Sequence, residues 1–116
     1  MRNSGIEAEA VGRKLGILIL SKPESPDLET IQGLCQAAMD IGVEVEVFVM
    51  GDAVYGLPNY QLDTMARNGA KVSFCAANVT ERDIDLESPA LAGFEEGSQY
   101  TLACIVESSD RFLAFT

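Results

Sequence analysis

Apolar residues follow two alternating patterns along this chain of 116 residues. Leu15-Gly16-Ile17-Leu18-Ile19-Leu20 is unbroken, the pattern of a strand covered on both faces, as strands of parallel sheets are. Residues 21–27 hold two prolines and read as a loop. From about Pro26, Leu28, Ile31, Leu34, Cys35, Ala38 and Met39 recur at helical spacing, and Gly42 supplies the C-cap. A second strand is expected over residues 43–50, where Val43, Val45 and Val47 alternate with Glu44 and Glu46 before Phe48-Val49-Met50. Gly51-Asp52 turns the chain into a short apolar piece, residues 53–57. Residues 60–68 then set Leu62, Met65 and Ala66 at helical spacing ahead of Gly69. Lys71-Val72-Ser73-Phe74-Cys75 reads as a third, shorter strand.

The second half is less regular. Ala76-Ala77-Asn78-Val79 reads as a small loop leading to a helix start at Thr80, an N-cap in front of Asp83 and Asp85. Pro89, Gly93 and Gly97 leave room in residues 88–97 for no more than a short fourth strand. Residues 101–109 have the β-branched content of a strand, but Leu102, Ile105, Val106 and Ser109 share a helical face, and we assign a helix. Phe112-Leu113-Ala114-Phe115 predicts a closing strand over residues 111–116. Strands alternating with helices imply an α/β fold, a parallel sheet with helices on both faces. The polar, small-residue start predicts a flexible leader over residues 1–13 and one domain over 14–116, a length that suits a single core.

Composition narrows the chemistry. Apolar residues make up 47% of the chain and charged ones 22%, a globular balance, and no apolar run approaches the roughly 20 residues of a membrane span. Residues 1–12 lack the basic flank and apolar stretch of a secretory signal, so a cytoplasmic location is expected. A net charge of −10, with eight scattered Lys and Arg, argues against nucleic acid as a partner. The chain has no histidine, which excludes Ser-His-Asp and Cys-His catalysis and removes the commonest zinc and copper ligand. No EF-hand spacing is present, and the loop after the first strand lacks phosphate-binding glycines, leaving Lys22 as an ordinary exposed lysine. Neither a metal nor a cofactor is expected. A flavodoxin-like nucleotide binder is disfavoured for the same reason.

One residue carries chemistry by position. Ligands and reactive groups of open α/β sheets gather at the carboxyl ends of the strands, and Cys75 ends the third strand. A thiolate there would be stabilised by free N–H groups of a following helix and by Arg82, and opposed by Glu81, Asp83 and Asp85. Cys35 and Cys104 lack this setting and read as packing residues. The segment 51–57, on the same edge, either lines a pocket or subunit contact or simply covers the sheet edge.

Several segments in order resemble the DsrE/DsrF/TusD family of small sulfur-relay proteins. They are the opening strand at Leu15, Ala37-Ala38-Met39-Asp40-Ile41-Gly42, and Val43-Glu44-Val45-Glu46-Val47-Phe48 leading to Gly51-Asp52-Ala53-Val54. Asn68-Gly69-Ala70-Lys71-Val72, Cys75 with Arg82 beyond it, and Ser109-Asp110-Arg111-Phe112-Leu113-Ala114-Phe115 complete the set. The resemblance implies a three-layer α/β/α fold with a mostly parallel sheet of about five strands. It also implies assembly as homotrimers or hexamers, and a persulfide carried on the cysteine matching Cys75 between a donor and an acceptor protein. Val43 departs from the family, which often has histidine there. Two functions follow as expectations: intracellular sulfur transfer through Cys75, or a non-catalytic oligomeric binding or assembly module in which Cys75 is structural.

Overall fold

The apolar run at Leu15 becomes the centre of a sheet. The computed structural model describes residues 12–58 and 60–116; the expected leader lies outside them as far as residue 11. Among the described residues five strands form: β1 (Lys14–Ile19), β2 (Glu44–Val49), β3 (Lys71–Cys75), β4 (Glu95–Gly97) and β5 (Arg111–Phe115). Four α-helices connect them: α1 (Asp27–Asp40), α2 (Tyr60–Arg67), α3 (Ala76–Glu81) and α4 (Gln99–Ser108). The strand order is β4-β3-β2-β1-β5, and every neighbouring pair is parallel. The three-layer α/β fold with about five strands is therefore as expected.

The two faces are covered unequally, for a topological reason. β1, β2, β3 and β4 follow one another across the sheet in a single direction, so their connections α1, α2 and α3 share one face. The step from β4 to β5 reverses direction across the whole sheet, and keeping the usual right-handed crossover sends α4 to the opposite face. Ile17, Val45, Val47, Val49, Val72 and Phe74 thus meet Ile31, Cys35, Leu62, Met65 and Val79 in a large core. Phe48 and Cys75 meet only Ile105 of α4, with Leu18, Met50, Leu102 and Phe112 at the margins. Gly16 lies directly beneath Ser109 and Phe112, where a Cβ would come within 2.9 Å of the Phe112 ring. α1 ends as expected, Gly42 taking φ +90°.

One element differs from expectation. No loop separates Cys75 from the next helix: α3 begins at Ala76 and Thr80 lies near its end, not at its start. Ala76 and Ala77 favour helix and cost little side-chain entropy, so the chain turns at once and buries Val79 in the main core. Asp83, at φ 57°, ends the turn in the left-handed region that short acidic side chains tolerate.

Candidate functional site

Cys75 is the last residue of β3, opposite Gly97 of β4, and its extended backbone occupies the N-cap position of α3. Its side chain points to the α4 face and is 4% exposed, packed with Phe48 and Ile105. Two side chains at the margin complete the cover: Met50, just after β2, and Leu102 from the first turn of α4. The Gln99 amide lies 3.9 Å from the Met50 sulfur, joining the two. The start of α4 is fixed by reciprocal caps, the Ser98 hydroxyl accepting from the Tyr100 N–H (3.2 Å) and Thr101 Oγ1 accepting from the Ser98 N–H (3.1 Å). Met50 and Leu102 were not legible as neighbours of Cys75. The one usable signal was strand register, which sets Phe48 beside Ser73 and so Met50 beside Cys75.

The surrounding edge is tied together by polar contacts. The Gly51 N–H donates to Asn78 Oδ1 at 2.8 Å, fastening the end of β2 to α3. Arg82 places Nε and Nη2 each 3.0 Å from Asp52 Oδ1, donates Nη1 to the Asn78 carbonyl at 3.2 Å, and has Glu81 at 3.7 Å. Its guanidinium also lies 6.0 Å from the centre of the Tyr55 ring. The cation expected to support a Cys75 thiolate is therefore already paired with two carboxylates. Segment 51–57 is mostly a cover for the sheet edge: Ala53, Val54 and Leu57 are buried, and Tyr55 alone stands out, 53% exposed. Beside it Lys22, Pro23, Glu24 and Asp52 line an open cavity of about 270 Å³. The Ser21 hydroxyl donates to Asp27 at 2.7 Å, so this loop satisfies itself rather than offering donors to a phosphate.

The other cysteines separate. Cys35 is buried in the main core, and burial pushes its thiol up to about 11. Cys104, expected to pack inside, is exposed, because among the described residues α4 has its face of the sheet to itself and buries little beyond Ile105. It lines a cleft of about 380 Å³ with Lys14, Glu46, Lys71 and Tyr100. Glu46 is a buried carboxylate paired with the Lys14 ammonium, which also donates to Ser108 at 2.7 Å. Lys71 stands 3.9 Å away on the next strand. Glu46 is buried because β2 is an inner strand, flanked by β1 and β3. Among the described residues, no group of three or more His, Cys, Asp or Glu side chains is placed to hold a metal, and no helix is long and apolar enough to cross a membrane.

Neither a family model nor a curated protein matches this chain in sequence. Solved structures do match in shape. The ychN protein from E. coli superimposes with a TM-score of 0.75 at 21% identity, covering 89% of this chain and 99% of its own. The chain has the DsrE-like fold. Two proteins of unknown function share this DsrE-like architecture. MTH1491 from Methanobacterium thermoautotrophicum matches with a TM-score of 0.71 at 16% identity, over 89% of this chain and 99% of its own. BT1422 from Bacteroides thetaiotaomicron matches with a TM-score of 0.70 at 12% identity, over 95% and 98%. At these identities the likeness concerns the fold. Within the DsrE-like fold of this chain, Cys75 lies on the carboxyl edge beneath α4, which crosses the opposite face.

Proposed function

We propose that this protein carries sulfur as a persulfide on Cys75. The observation that supports the reading is the place of Cys75 as the terminal residue of β3, on the carboxyl edge where α/β sheets hold their reactive groups. The Cys75 thiolate attacks the terminal sulfur of a donor persulfide; the bond from Cys75 to that sulfur forms, the donor S–S bond breaks, and the donor leaves as a thiolate. An acceptor thiolate then takes the same sulfur, and Cys75 departs as a thiolate. No external oxidant or reductant is consumed. The 4% exposure of Cys75 means that Met50 or the first turn of α4 moves aside in each transfer. The working form is a homo-oligomer, a trimer or hexamer, which agrees with the apolar side chains that α4 leaves outward, Tyr100 and Val106.

A second reading is favoured by the same burial: a binding or assembly module in which Cys75 only packs against Phe48 and Ile105. The two are separated by following sulfur from a protein-bound persulfide to a thiol acceptor, catalysed by the parent chain, Cys75→Ser and Cys104→Ser. The relay requires activity in the parent and Cys104→Ser and its loss in Cys75→Ser. Equal rates in all three leave the assembly module.

A further inference from the structure

A groove of about 590 Å³ opens at the other end of the sheet from Cys75, where β1 and β5 begin and α1 ends. Its volume falls within the range of small-molecule sites. Leu15, Leu34, Ala38 and Val43 give it an apolar floor, and Ile41, an exposed large apolar residue, stands at its lip. Its rim is cationic, in a chain of net charge −10. Arg13 and Arg111 flank Asp110, a half-exposed carboxylate that is already engaged: Oδ2 accepts the Lys14 N–H at 2.8 Å, and Oδ1 is paired with Arg13 at 3.5 Å. Arg111 gives one N–H to the Asp110 carbonyl at 2.9 Å and has no carboxylate partner among the described residues.

We propose that this groove binds a small amphiphilic carboxylate, its apolar body on Leu34, Ala38 and Val43 and its carboxylate on the free donors of Arg111. A planar guanidinium presents parallel N–H donors that match the two oxygens of a carboxylate, and the apolar floor removes the body of such a ligand from water. An uncharged molecule of the same body gains only the second contribution. This site is independent of Cys75 and of the sulfur-transfer reading.

Decanoate, kept monomeric and titrated into the full-length ¹⁵N-labelled chain, tests the proposal, with decanol as the uncharged control. The expected result is saturable shifts at Leu34, Ala38, Ile41 and Val43, with decanol weaker by about tenfold, the scale of one charge-assisted hydrogen-bonded contact. Arg111→Gln, at an exposed position, is expected to weaken decanoate by about fivefold or more while leaving the remaining spectrum unchanged. Equal binding of decanol and decanoate overturns the proposal, as do shifts scattered over the surface. So does an occupied groove without ligand, seen as contacts from its methyl groups to Ile6 or Val11 of the chain or as shifts that follow protein concentration.

Discussion

A thiol that exchanges sulfur must meet its partner, and Cys75 is buried in a cluster against which Met50 and Leu102 pack. The three cysteines therefore should react with an alkylating agent in a fixed order: exposed Cys104 first, Cys75 next, Cys35 last. Cys35 is slowest for two reasons, since burial blocks access and, by pushing its thiol up to about 11, keeps nearly all of it protonated at neutral pH. Truncating the cover in Leu102→Ala should raise the Cys75 rate by about tenfold, an opening cost lowered by about 1.4 kcal/mol, and leave Cys104 unchanged. Peptide-resolved mass spectrometry over time reads all three rates; an unchanged Cys75 rate in Leu102→Ala would mean that Leu102 is not the cover. The placement of Cys75 was legible because a strand end is a local property. Its burial was not, because Ile105 reaches it from a later crossover, and the pairing of Arg82 with Asp52 was not legible because Asp52 comes from another segment.

At the scale of elements, the unequal covering of the sheet follows from strand order. Among the described residues, α4 makes the crossover from the β4 edge to the β5 edge with ten residues and no neighbouring helix on its face. Its start therefore depends on its caps. Ser98→Ala removes the hydroxyl that accepts the Tyr100 N–H and should cost about 1 kcal/mol in urea unfolding, while also speeding Cys75 alkylation by loosening the first turn. A loss of stability with no change at Cys75 would separate the cap from the cover. Periodicity identified the strands and long helices because each buries a regular face. It failed at α3, whose six residues hold one buried side chain, Val79, too few for a period to show. It succeeded at α4 in spite of the β-branched content, because Leu102 and Ile105 are spaced for one helical face.

At the scale of the molecule, the face that α4 leaves open holds the pairing of Lys14 with Glu46, both largely buried. Removing one partner strands the other, so Glu46→Ala should destabilise the fold by about 3 kcal/mol, measured by denaturant unfolding, whereas Glu46→Ala combined with Lys14→Met should recover much of the loss. A loss below about 0.5 kcal/mol, the scale of an exposed pair, would show that the pair is solvated. None of this was legible from the local alternation of valine and glutamate, since only the sheet order makes β2 an inner strand. Sulfur uptake by Cys75 is the reading proposed for this chain. Its most direct test is the mass of each cysteine peptide after incubation with a persulfide donor. A persulfide on Cys75 requires a gain of about 32 Da, one sulfur atom, on the Cys75 peptide, reversed by an acceptor thiol and retained in Cys104→Ser. A gain confined to Cys104, or none on Cys75, would contradict it.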